Sequence, residues 1–190
     1  MRTLSIVRTH DDREIPVAGT YTIDPAHTSV EFVGRHLMIT KVRGRFPTVS
    51  GTITIADEPQ QSHVEVDIEV ASLETGHPDR DNHLRSGDFF DVDNHPTMSF
   101  RSTSVEAAPS GSWLVKGDLT VRGVTHPVTL RVDFDGAGES PVGDSRIAFS
   151  ASGEVNREDW GLTWNMALET GGVLVGKKVA IELNVQAVAV

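Results

Sequence analysis

The chain has 190 residues, no cysteine, and a formal net charge of −10 from 17 basic and 27 acidic side chains. The acidic balance argues against a nucleic-acid binder, which needs a basic footprint to displace counterions from phosphates. The missing cysteines exclude thiol nucleophiles, cysteine-ligated zinc and iron–sulfur clusters, and the length fits one domain with a full core.

Met1 to Val17 hold Arg2, Arg8, His10, Asp11, Asp12, Arg13 and Glu14, and no run of adjacent aliphatic residues among them is longer than Ile6–Val7. An export signal needs an apolar run of about 7–15 residues, so a cytoplasmic location is expected. The segment reads as a polar N-terminal extension, poorly ordered or lightly docked, ahead of one domain over 19–190.

From there the chain alternates apolar and polar residues, the period of a half-buried strand. Tyr21–Asp24 and Ser29–Arg35 begin the series, followed by a weak alternation at Ile53 and Ile55. His63 to Val70 places Val64, Val66, Ile68 and Val70 on one face and Glu65, Asp67 and Glu69 on the other. His77 to Gly87 carries the best helix signal, with Pro78 and Asp79 near its start, Leu84 inward and Gly87 as a stop. Strand signals resume at Met98/Phe100 and at Trp113, Val115, Leu119 and Val121. Thr125 to Gly136 sets Val128, Leu130, Val132 and Phe134 against polar neighbours. Ile147, Phe149 and Ala151 follow, then a short turn at Arg157–Gly161 and a long strand over Val179–Val190. The count is about eight or nine strands. Long strands with one apolar face suit an antiparallel barrel or a sandwich. The aliphatic inward set can fill a core or leave a hollow, since eight strands is near the size that holds one small ligand.

Three segments carry candidate chemistry. His77 to His83, with Asp88, Asp91, Asp93 and His95, contains metal-ligating side chains without a diagnostic spacing. Helix capping and turn formation account for them as well, or they anchor the helix across a barrel mouth through Leu84, Phe89 and Phe90. Arg35, His36, Lys41, Arg43 and Arg45 form a basic run without an acid, suited to a polar head group or an anionic membrane surface. Outward charges paired with neighbouring acids are the plainer account. Trp160, Gly161 and Trp164 fall near an expected barrel end, as a plug or at an entrance. No nucleophile elbow, phosphate loop or zinc-protease motif is present.

Several collinear stretches together resemble the YceI-like family of bacterial polyisoprenoid-binding proteins. They are Tyr21–His27–Ser29–Val30–Phe32, His36-Leu37 with Val42 to Phe46, Asp79 to Asp91, His95-Pro96, Leu119 to Val128, Asn156 to Leu162, and Leu174-Val175-Gly176. The resemblance implies an all-β fold: an extended antiparallel eight-stranded β-barrel, lipocalin-like, with one short helix packed against it. It implies an apolar cavity holding an isoprenoid lipid, a polyprenyl or quinone tail, and is compatible with a homodimer and transient membrane contact. Carrier, storage or buffering roles follow, with no catalytic residue, no metal and no cofactor beyond the bound lipid. Relatives often carry an export signal, which residues 1–18 do not show.

Alternation then supplies the cavity-lining candidates: Phe32, Ile53, Val66, Ile68, Met98, Phe100, Trp113, Leu119, Leu130, Phe134, Phe149, Ile181 and Leu183. His36 and Arg43 are the candidates for head-group contact. Two rivals stand beside this reading. One is a small barrel isomerase or metal-dependent hydrolase using the His77–His95 cluster. The other is a stress-related interaction protein whose core is filled.

Overall fold

The computed structural model describes residues 5–190. Its strands are β1 (Val7–His10), β2 (Arg13–Pro16), β3 (Gly19–Ile23), β4 (Ser29–His36), β5 (Thr40–Arg45), β6 (Val49–Ile55), β7 (His63–Glu69), β8 (Thr97–Ala107), β9 (Trp113–Val121), β10 (Val124–Glu139), β11 (Ser145–Asn156) and β12 (Lys178–Ala189). One α-helix, α1 (Pro78–Arg85), lies between β7 and β8 among the described residues.

Eight strands close a ring of antiparallel ladders in the order β11-β10-β9-β8-β7-β6-β3-β12, with β12 returning to β11. The fold is thus the antiparallel barrel that alternation and resemblance led to. The twelve strands exceed the eight or nine expected because two ring positions are broken and a separate hairpin precedes them. Closure pairs every ring strand on both sides, so no ring edge is left open. β12 explains the first break. Its C-terminal half pairs with β3 (Ala187 opposite Ile23), and its N-terminal half pairs with β4 (Leu183 opposite Val30). β5 and β6 break opposite them, at Phe46–Thr48. β4 and β5 therefore rise beyond the ring as a two-stranded flap.

Asp24 holds the bend between β3 and β4. Its carboxylate accepts from the Ala26 N–H at 3.0 Å, from Arg146 at 2.6 Å, and lies 2.8 Å from His27 Nδ1. Those partners, His27 first and Arg146 second, hold the Asp24 pKa below the usual carboxylate value. A lowered folded pKa stabilises the fold above the unfolded value, and that contribution fades as pH falls through the folded one. Asp24→Asn is therefore expected to flatten the loss of stability below about pH 4. Urea midpoints measured across that range check it; an unchanged acid limb would show that the bend is not coupled to this carboxylate.

Two β-bulges shift the alternation. Between Ser102 and Ser104 the inward phase of β8 passes from Met98 and Phe100 to Val105. Between Phe134 and Gly136 that of β10 passes to Ala137. Elsewhere close strand approach is made by glycine. A side chain at Gly44 would strike the ring of Phe32, its partner across β4–β5, and one at Gly117 would strike Phe100.

Of the two states expected for the polar lead, loose or docked, residues 5–18 show the docked one. β1 and β2 form a hairpin that caps one barrel end, and Ile15 is buried with Val105, Trp113 and Val115. Two of the arginines that made it look solvated clamp it down. Arg8 donates to the Ala56 carbonyl at 2.6 Å. Arg13 donates to the carbonyls of Ser112 and Ala108, both at 2.7 Å, and lies over the Trp113 ring. Ile15→Ala is expected to cost about 2–3 kcal/mol in a urea titration, as for other buried aliphatic truncations. A cost within experimental error of zero would mean that the cap is not part of the core.

Candidate functional site

The barrel interior holds a cavity of about 680 Å³. The lining is aliphatic and aromatic along the staves, and every inward position expected from alternation, from Phe32 on β4 to Leu183 on β12, faces it. Phe134 and Phe149 meet across β10 and β11 at 5.4 Å between ring centres. Ile23, Val49, Val105, Val155 and Val185 also line it. Val185 continues the inward face of Ile181 and Leu183, whereas Ile23, Val49, Val105 and Val155 lie beside a strand end or a bulge, where the period is interrupted.

The two ends differ. Ile15 and Trp113 close one, beneath the N-terminal hairpin. At the other stand the flap, α1, and the loop from Leu162 to Gly176, which supplies Trp164, Leu174 and Val175. The glycine-rich 171–176 stretch belongs to this end. It runs along the flap, where Gly176 N–H donates to Arg35 O and Leu37 N–H to Leu174 O. Trp160 Nε1 donates to the Leu119 carbonyl at 2.8 Å, pinning the short helical turn Arg157–Trp160 to the barrel.

Arg157 organises this end. It is buried, and its guanidinium donates to four carbonyls: Gly176 at 2.8 Å, Leu162 at 2.5 Å, Trp164 at 3.0 Å and Val175 at 3.2 Å. Burial lowers its pKa from the ordinary arginine value and the Glu158 charge opposes the shift, but arginine stays charged in proteins. A flat fork of donors suits several carbonyls at once, which lysine cannot match. Sequence reading placed a turn at Arg157 without a role, and no motif marks a buried arginine.

His36 stands at this mouth, on the inward face of β4. Arg43 does not. It lies opposite Val33 on the outer face, and its guanidinium reaches Glu182 at 2.5 Å and Glu31 at 3.2 Å. Strand parity sends the positions 42 and 43 to opposite faces, so Val42 lines the cavity. Those two carboxylates raise the Arg43 pKa, Glu182 most. Arg43 is thus corrected from a head-group contact to an outer-face ion pair.

The His77–His95 segment resolves into a capped helix and its anchoring loop. His77 Nδ1 accepts from the Arg80 N–H at the helix start, and Pro78 takes the first helical position. Asp81 is buried and accepts from the Thr75 N–H at 2.9 Å and its hydroxyl at 2.5 Å. Arg85 donates to the carbonyls of Ala71 and Leu73. Phe89 is buried, and Leu84 and Phe90 pack on the core. His83 faces the cavity with its Nε2 2.8 Å from Asp88, and its ring sits edge-on to Trp164, with centres 4.5 Å apart. Among the described residues no three of His, Asp and Glu converge as a metal-binding group. No helix among them is long and apolar enough to cross a membrane.

An apolar chamber, closed at one end and bordered by a few polar side chains at the other, makes this a lipocalin-like barrel with an internal cavity. Comparison places it more narrowly. The YceI-like domain matches residues 21–187, and the chain belongs to that family. A Staphylococcus aureus protein of the UPF0312 group is 37% identical over 171 residues, covering 87% of this chain and 95% of its own. The Campylobacter jejuni YCEI protein is 26% identical with a TM-score of 0.69, over 82% of this chain and 90% of its own. Burkholderia cenocepacia BcnA shares the fold at 21% identity and a TM-score of 0.75, over 86% and 98% of the two chains. So does a polyisoprenoid binding domain from Saccharophagus degradans, at 16% identity and a TM-score of 0.66, over 90% and 98%.

Proposed function

We propose that this protein binds an isoprenoid lipid, a polyprenyl or quinone tail, within the barrel and acts as a non-catalytic carrier or buffer for it. The apolar cavity of about 680 Å³ carries this reading. Membership of the YceI-like family and the polyisoprenoid-binding neighbour from Saccharophagus degradans support it. At roughly 30 Å³ per water-sized group the space takes roughly 20 non-hydrogen atoms, or about four isoprene units. A longer tail must continue out of the mouth.

The energetics suit exchange rather than capture from water. Burying one methylene from water is worth about 0.8 kcal/mol, so a tail of about 40 carbons would pass the ~18–21 kcal/mol ceiling of known affinities. Such a tail starts in a bilayer, and its transfer to an apolar cavity is close to neutral. Cavity shape and the polar mouth, His36, His83 and Asp79 among its residues, then set selectivity. The reading needs no cofactor.

Native mass spectrometry of protein purified from its own host tests it, with the released lipid identified after solvent extraction. One isoprenoid per chain is expected. Stoichiometric absence of bound lipid, or a lipid without an isoprenoid tail, would overturn the reading.

A further inference from the structure

The flap ends in a tight turn whose side chains run against the usual rules. Leu37 and Met38 both have positive φ, 55° and 60°. That conformation favours glycine, which meets no steric cost there, and asparagine, which tolerates it and suits water. Here it holds two large apolar residues, and Ile39 beside them is 77% exposed. Met166, also exposed, lies in the loop that runs along the flap, and Met38 approaches Gly172 of the same loop. The apolar tips thus form one patch from two chain segments, at the open end of the cavity and away from the hairpin-capped one.

Charge is sorted around this patch. The chain is acidic overall, yet no acidic residue occurs from Phe32 to Ala56. Arg43 and Arg45 are paired with Glu182 and Glu74 lower on the flap. Arg35 and Lys41, which flank the turn opposite one another, have no carboxylate partner among the described residues. Glu169 is the nearby loop's one acid between Gly161 and Gly176. An apolar tip flanked by unpaired cations matches the layered chemistry of an anionic bilayer, acyl chains beneath phosphates.

We propose that the protein docks by this tip onto bilayers containing anionic lipid, Leu37, Met38, Ile39 and Met166 entering the interface while Arg35 and Lys41 meet the phosphates. The inference rests on the cavity reading for its purpose, since docking there sets the cavity mouth against the membrane that holds the tail.

Flotation with vesicles of phosphatidylcholine containing about 30 mol % phosphatidylglycerol tests it. The wild-type protein is expected to float with these vesicles and about tenfold less with pure phosphatidylcholine. The double variant Met38→Ser/Ile39→Ser is expected to lose binding about tenfold, and Lys41→Glu to lose it on anionic vesicles. Wild-type protein that stays with the solvent, or a double variant that floats as well as wild type, overturns the proposal. So does a sedimentation result in which the double variant breaks a dimer while vesicle binding is unchanged, because a second copy then covers the tip. Loading of a fluorescent prenyl chain from detergent separates the two readings. A protein that loads but does not float loses only the docking proposal, and one that floats but does not load loses only the cavity reading.

Discussion

Replacing Arg157 by methionine is expected to destabilise the protein by about 3–5 kcal/mol and to free the loop that borders the cavity mouth. The guanidinium fills a buried site and satisfies the carbonyls of Leu162, Trp164, Val175 and Gly176 at once. Asn165 Nδ2 also donates to the Val175 carbonyl, at 2.7 Å, so that acceptor keeps a partner in the variant. The other three lose theirs, and each buried acceptor left unpaired costs about 1–3 kcal/mol. Arg157→Lys is expected to recover only part of the loss, because one ammonium cannot span acceptors on both sides of the loop. The effect should spread. Leu174 and Gly176 bond to the flap backbone, so their amides and that of Leu37 should exchange faster with solvent in the variant. Stability and hydrogen exchange together check this; a loss of stability with unchanged loop protection would place the role of Arg157 elsewhere.

The second large effect concerns occupancy. Ala151 on β11 lies in register between Val132 and Leu183 and faces the cavity. Ala151→Phe adds a six-carbon ring directed into empty space, which takes about a quarter of the cavity at roughly 30 Å³ per atom. A ring that enters a void displaces no packed neighbour, so stability should change by less than about 1 kcal/mol. Lipid loading should fall at least about tenfold, because the ring removes the room of several methylenes worth about 0.8 kcal/mol each. Ser152→Phe, on the exposed face of the same strand, is the matched control and should load as wild type does. Equal loading by the Ala151 variant and wild type would show that the tail does not lie in the barrel.

Much of this architecture is legible in the amino-acid sequence. The period of two over His63–Val70, Thr125–Gly136 and Val179–Val190 corresponds to β7, β10 and β12, and the Pro78 start and Gly87 stop bracket α1. Every named lining residue borders the cavity, because even Trp113 at a strand start and Phe134 before a bulge keep the parity of the run they belong to. It failed where geometry departs from the simple pleat. Val105 is inward only because a bulge intervenes after Ser102, and sequence alone gives the bulge no marker. Arg43 misled because a basic run was treated as one surface, whereas alternation splits it between two faces. Arg8 and Arg13 show why composition left the docking of the N-terminal segment open. Charge density suggested solvation, but long side chains lay their stems on the barrel and spend their charge on backbone carbonyls.

The broken strand positions also bear on how the molecule opens. The ring from β6 round to β11 is laced on both sides of every strand. The flap is laced to β12 over Ser29–Val33 and to the mouth loop at its tip, while among the described residues the outer side of β5 makes one backbone bridge, Arg45 with Glu74. Two cooperative units of unequal strength follow. β4 and β5 are therefore expected to show faster amide exchange with solvent than β7 to β10. The β5 seam, where Val42 lines the cavity, is thus the less tightly laced side of the chamber.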